Sequence, residues 1–199
     1  MIRRAALGLA GAAWLAACMP VGSPGGVPVT QARLLGGTMT AAAPEGYCIN
    51  MPTSRPQTGF VLMTACAANR TPAVITMQVG AANTALVNGS EPLLAAFLES
   101  GDGAQLLSGE NDAAKIDVRR AMQSRNRVTV LFDDGNPPPL EGMQAREWRI
   151  FTDAGNRLVT LAVRGLSSDP LADSAGLDLL NRAMATFVAA NQPATPEDS

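Results

Sequence analysis

Hydrophobic and polar positions change rhythm several times along this chain. An apolar run from Ala5 to about Leu15 follows Arg3-Arg4 and closes on Leu15-Ala16-Ala17-Cys18. It is too short to span a bilayer, which takes about 20 apolar residues, and its charge order is that of a cleaved secretory leader. From Met19 to about Val29, proline, glycine and serine break any period, as in a flexible tether. Extended patterns follow. Residues 33–42, residues 46–50 after the Pro44-Glu45-Gly46 turn, the apolar stretch 59–66 and the β-branched stretch 73–79 each predict a strand. Residues 51–58 hold two prolines and read as a loop.

Ser90 is placed to cap a helix through Phe97 and Leu98, with Pro92 in the first turn, where a missing N–H costs little. Gly101-Asp102-Gly103 is expected to end it. Two hairpins come next. Ile116 and Val118 alternate with charged residues, the chain turns at residues 123–126, and Val128, Val130 and Phe132 alternate back. After a loop over residues 133–145, Trp148 and Ile150 lead to the turn Asp153-Ala154-Gly155-Asn156, and Val159, Leu161 and Val163 return. Asp169-Pro170 then offers a cap and first helical position. The closing helix carries Leu177, Leu180, Met184, Phe187 and Val188 on one stripe and ends before Pro193.

Strands, a helix, two hairpins and a closing helix predict an α+β fold: an antiparallel sheet of hairpins with two main helices packed on one face. This order resembles the Mog1/PsbP-like α+β fold, and Pro44-Glu45-Gly46-Tyr47 sits where that fold often places a Pro-x-Gly-aromatic turn. The resemblance covers most of residues 44–191. It implies an accessory or assembly role and supplies no catalytic residue. The expected organisation is a leader over 1–17, then a lipidated cysteine, tether and first strand over 18–43. A single domain over 44–191 and a disordered tail over 192–199 complete it.

Arg3-Arg4, the apolar run and Leu15-Ala16-Ala17-Cys18 together resemble the signals of bacterial lipoproteins. That resemblance implies cleavage before Cys18, a diacylglyceryl thioether on its sulfur and acylation (palmitate or a similar chain) of the new amino terminus. Each buried methylene contributes about 0.8 kcal/mol, and two or more chains give stable anchoring. In that family an aspartate after the cysteine retains the protein in the inner membrane. Met19 therefore implies sorting to the outer membrane, facing the periplasm.

Composition narrows the chemistry. The whole chain has a net charge of −2, and loss of the two leader arginines makes the remainder more acidic, which argues against nucleic acid as a partner. There is no histidine, so His-based acid–base catalysis, triads and imidazole metal sites are excluded. Lys115 is the only lysine. Cys48 and Cys66 are the only thiols besides Cys18, and in an oxidising compartment they are expected to pair as a cross-strand disulfide. A loop centred near Gln57 would set them directly opposite each other. Without a C-x-x-C arrangement, a redox-active pair is the weaker reading.

Asp133-Asp134-Gly135-Asn136, with Glu141 nearby, is the one acidic grouping with catalytic or metal-binding character, since paired carboxylates share a proton or hold a cation. The same residues are ordinary turn chemistry before the stiff Pro137-Pro138-Pro139, and a solvated turn with no metal is the expectation. Arginines gather in the two hairpins. Arg119, Arg125, Arg127 and Arg149 are the candidate contact surface for an acidic envelope protein, an anionic glycan or a lipid headgroup, against the alternative of a merely solvated sheet. The function expected is a membrane-anchored, non-catalytic accessory or interaction module without cofactor. The alternatives are an enzyme or metal site built on Asp133, Asp134 and Glu141, and a carrier of a small apolar ligand between helices and sheet.

Overall fold

The computed structural model describes residues 28–67, 72–109 and 111–192. Its strands in chain order are Gln31–Leu34 (β1), Met39–Ala42 (β2), Tyr47–Ile49 (β3), Phe60–Ala65 (β4), Ala73–Val79 (β5), Ile116–Ser124 (β6), Arg127–Asp134 (β7), Met143–Ala154 (β8) and Arg157–Leu166 (β9). The α-helices are Glu91–Leu98 (α1), Gly101–Ser108 (α2) and Asp173–Ala190 (α3). β1 and β2 form a hairpin of their own, while the other seven strands make one antiparallel sheet ordered β3-β4-β5-β9-β8-β7-β6. The α+β class and the sheet of hairpins are those expected from the alternation. Among the described residues no helix is long and apolar enough to cross a membrane.

The two-residue period of the strands divides their side chains between two interiors. One face carries Val61, Met63, Ile75, Met77, Leu131, Trp148, Ile150, Leu161 and Val163, all buried in one cluster. α3 covers it with Leu179, Leu180, Ala183, Met184 and Phe187, and the β1–β2 hairpin adds Leu34, Met39 and Ala41. Gly176 lets α3 approach this face. A methyl group there would lie 2.5 Å from Cδ1 of Trp148. The opposite face carries Val128, Val130, Phe132 and Phe151, which pack with Val87, Leu98 of α1 and Leu107 of α2. Helices therefore cover both faces of the sheet, where one-faced packing was expected. The reason lies in β7, which is buried without interruption from Val128 to Phe132 and so needs cover on both sides.

Four further expectations are corrected. The single strand over residues 33–42 is the β1–β2 hairpin, because Leu35, Gly36 and Gly37 all take positive φ (51°, 71° and 93°) and reverse the chain. Gly101-Asp102-Gly103 does not end helical structure. Ser100 Oγ accepts from the Gly103 N–H at 3.2 Å and starts α2, with Asp102 in its first turn. The closing helix begins at Asp173 instead of Pro170, since Asp169 bridges back to Leu166 and the Leu171 N–H donates to Gln144 Oε1 at 2.8 Å. Its buried stripe runs through Gly176, Leu179, Leu180, Ala183, Met184 and Phe187, leaving Val188 44% exposed. The hairpin turns fall where expected, with Asn126 and Asn156 at positive φ. Asp153 does more than turn the chain. Its carboxylate accepts the N–H groups of Leu86, Val87 and Asn88 at 2.8–3.0 Å, which pins the segment before α1 to the β8–β9 turn.

Cys48 and Cys66 are joined by a disulfide with Cα atoms 5.1 Å apart. Cys48 pairs in register with Thr64, so the bridge runs diagonally across β3 and β4 and not between directly opposed residues. Cross-linking residues 18 apart removes unfolded-state freedom worth about 3 kcal/mol in the chain-entropy model. Reduction is expected to lower the unfolding free energy by that order, read as a fall in the urea midpoint with reductant present. An unchanged midpoint would show that the bridge constrains nothing the unfolded chain was free to do.

Candidate functional site

Strand register sets charged residues into the sheet face shared with α1 and α2. β8 and β9 pair Glu147 with Arg164 and Arg149 with Ala162, and β7 places Phe132 beside Glu147. β7 also runs on to Asp134, so Asp133 and Asp134 are strand residues and not a solvated turn. Because neighbours on a strand point opposite ways, the two carboxylates part. Asp133 pairs in register with Arg146 on the α3 side, while Asp134 turns to the other face and is 6% exposed.

Four charges meet there. Arg164 donates from Nε and Nη2 to Glu147 Oε2 at 2.9 and 2.6 Å, and its Nη2 lies 3.4 Å from Asp134 Oδ2. Arg149 Nε donates to Glu147 Oε1 at 2.7 Å, and its guanidinium carbon stands 5.1 Å from the centre of the Phe132 ring. Asp134 Oδ1 accepts from the backbone and side-chain N–H groups of Asn136, both at 2.9 Å. Two anions and two cations thus balance, with Glu147 and Arg164 only 5% and 7% exposed. One group is left over: Arg164 Nη1 is buried without a partner. An unmet buried donor costs about 1–3 kcal/mol.

Beside this cluster lies a groove of about 600 Å³, within the range of small-molecule sites. α1 and α2 cover the β7 side of this face, and the β4–β5–β9 side forms the groove floor. Register aligns Leu62, Thr76 and Ala162 in one row and Phe60, Gln78 and Thr160 in the next, with Val74 beside Arg164. The end of α2 from Leu106 to Gly109 makes one wall, and Pro137, Pro139, Leu140 and Met143 make the other. Leu106 and Leu140 stand 50% and 37% exposed. The floor mixes the apolar side chains of Phe60, Leu62, Val74 and Ala162 with those of Thr76, Gln78 and Thr160, and Asp134, Glu147, Arg149 and Arg164 line the charged end.

The residues singled out in the sequence are only partly brought together. Asp134 enters the groove, Asp133 lies on the opposite face, and Glu141 is exposed on the loop before β8. Among the described residues no group of three carboxylate or thiol side chains is arranged to hold a metal ion. The candidate arginine surface is dispersed. Arg119 pairs with Asp117 and Asp133, Arg127 reaches Asn181 of α3, Arg125 is exposed at a turn, and Arg149 lies in the groove cluster. Cys18 lies outside the described residues. Glu147 and Arg164 carry no motif that distinguishes them from the other charged residues of the hairpins. Their signal was a charge inside an apolar alternation, Trp148 and Ile150 after one and Leu161 and Val163 before the other.

No family model matches the chain, and no curated protein matches it. Among solved structures it is similar to the Ran-binding protein Mog1p of Saccharomyces cerevisiae, at 12% identity and a TM-score of 0.48, over 80% of this chain and 92% of that one. A mutant form of Mog1 gives 12% identity and 0.47 over 80% and 93%. PsbP of Synechocystis sp. PCC 6803 gives 12% identity and 0.40 over 86% and 98%. These are the proteins whose fold the element order resembles. No residue role is taken from them.

Asp133 offers a titration test of the α3 side. Arg146 donates to both its oxygens at 2.8 and 3.1 Å, which holds the carboxyl below the usual carboxylate range, and Arg119 adds to the effect. A depressed folded value means the stabilisation is present above the unfolded pKa of about 3.9 and is lost as pH falls through the folded one. At neutral pH Asp133→Asn is expected to cost on the order of 1 kcal/mol, since both arginines are partly solvated. The gap from wild type should close as pH drops below the ordinary aspartate range. A gap independent of pH down to acid unfolding would show that the charge of Asp133 contributes nothing.

Proposed function

We propose that this protein is a non-catalytic binding module of the bacterial envelope, held on the periplasmic face of the outer membrane by an acylated Cys18. The observation that carries the binding role is the groove on the β4–β5–β9 side, with a mixed floor and a charged end. It supports the reading as a carrier or accessory module more than the reading as a carboxylate enzyme. Asp134 and Glu147 are both engaged by Arg164, and Asp133 and Glu141 stand away from them. The anchor rests on Arg3-Arg4, the apolar run and Leu15-Ala16-Ala17-Cys18. The proposed contact surface is the groove instead of the four hairpin arginines, because Arg149 lies on the groove face while Arg119 and Arg127 reach partners on the α3 face.

The two halves of this reading are tested separately. Cys18→Ser is expected to leave an unprocessed precursor that takes up no labelled fatty acid. Normal labelling of that variant would remove the anchor. Photo-crosslinking of the full chain in intact membranes is expected to give adducts on peptides spanning residues 60–62 and 74–78. Adducts confined to the turns at Arg125 and Asn156 would put the contact elsewhere.

A further inference from the structure

Helix α1 is apolar on both of its sides. Leu94, Ala95 and Leu98 face inward and pack with Val128, Val130, Phe132 and Phe151. At about 3.6 residues per turn, Pro92, Leu93, Ala96 and Phe97 share the opposite side, and all four are exposed. Leu93 is 75% exposed and Phe97 40%, and Leu86 just before the helix is exposed as well. A helix that is apolar all round is normally an interior one. Single scattered leucines need no explanation, but large apolar side chains exposed together on one short element mark an interaction surface. This surface looks away from the sheet and is separate from the groove.

Charge decides what covers it. From residue 71 to residue 114 the chain holds no lysine or arginine, against Glu91, Glu99, Asp102, Glu110 and Asp112. Glu91 accepts the Asn126 N–H at 2.7 Å, and Asp112 the Ala114 N–H at 3.0 Å. Glu99 and Asp102, just beyond Phe97, are exposed and form no ion pair among the described residues. Arg125 precedes Asn126 and so stands by Glu91, at the other end of α1. An anionic bilayer is repelled by such a border, and helices that lie in a lipid interface carry Lys or Arg on their polar side. A second copy docking by the same face would bring its own carboxylates to these. A cationic border on a different protein meets them with opposite charge, which steers encounter and fixes orientation. We infer that α1 docks a protein partner through Leu93 and Phe97, and that the partner's segment is amphipathic, an apolar stripe bordered by Lys or Arg.

The probe is a fluorescent synthetic amphipathic helix of leucine and lysine, titrated with the full chain. Two companion helices separate the contributions, one with glutamate for lysine and one with serine for leucine. The leucine–lysine helix is expected to bind at least about tenfold more tightly than either companion at low salt, its advantage over the glutamate helix shrinking toward about 0.5 M salt. Leu93→Gln with Phe97→Gln is expected to weaken it about tenfold or more. Leu93→Gln alone alters only the more exposed side chain and is expected to weaken it several-fold with the thermal midpoint unchanged. Glu99→Gln with Asp102→Asn is expected to bring the lysine and glutamate helices close to level, and Thr76→Trp on the groove floor to change none of these results. A preference for lysine that survives the double carboxylate variant would trace to overall charge and overturn the cationic border. Binding that Leu93→Gln leaves untouched would overturn α1 as the site, and binding lost with Thr76→Trp would move the helix to the groove. Uptake of the chain by vesicles of phosphatidylethanolamine and phosphatidylglycerol, or a dimer in sedimentation, would overturn the protein partner if Leu93→Gln abolished it.

Discussion

Consecutive residues of a strand point to opposite sides, and in β7, β8 and β9 one side faces the α3 core while the other faces α1 and α2 or the groove. Every neighbouring pair in these strands is thereby split between two environments. Trp148 and Ile150 go beneath α3 while Glu147, Arg149 and Phe151 go toward α1 and α2. Val163 and Arg164 part in the same way, as do Asp133 and Asp134. The α3 side becomes a largely apolar core, with Asp133 and Arg146 paired where α3 begins, and Glu147, Arg149 and Arg164 are left to the other face. A register slip of one residue would exchange the two sets, burying Arg164 and Glu147 against Leu180 and Phe187. The separation of a dry core from a mixed, grooved face depends on this one constraint.

The charged cluster needs a second argument, because buried ions are not obviously stabilising. Taking four charges out of water costs several kcal/mol per ion, and pairing recovers that cost only with good geometry. Here the geometry is good for Glu147, which receives both Arg149 and Arg164 at 2.6–2.9 Å, and weaker for Asp134, whose contact with Arg164 is 3.4 Å. Asp134 is held mainly by Asn136, which also ties the end of β7 to Asp112 through its side-chain amide. The cluster fixes the charged end of the groove in place.

The groove exists because cover on this face stops short. α1 and α2 together span only residues 91–108 and pack over β6 and β7, and the chain then returns into β6 instead of crossing the sheet. On the other face a single 18-residue helix and the β1–β2 hairpin together reach from β4 to β8. Unequal cover on two sides of one sheet leaves Phe60, Val74 and Thr76 at a depression walled by the end of α2 and the proline-rich loop after β7.

What was legible in the sequence was whatever local chemistry decides. Alternation located β3 to β9, Asn126 and Asn156 marked turns that need positive φ, Pro92 marked the first turn of α1 although the Ser90 side chain makes no capping hydrogen bond, and the two cysteines of adjacent predicted strands marked their bridge. Gly36-Gly37 carried the hairpin signal too, but the apolar residues on either side read equally well as one strand. Tertiary packing decided the rest. Periodicity states that Asp133 and Asp134 point apart but not which side will be interior, and it cannot say that α1–α2 and α3 choose different faces. Nor can it show that Glu147, Arg149 and Arg164, spread over two strands, meet Asp134 from a third. Side-chain direction is a local property of the backbone. The environment a side chain enters is set by distant elements that cover, or fail to cover, the face it points to.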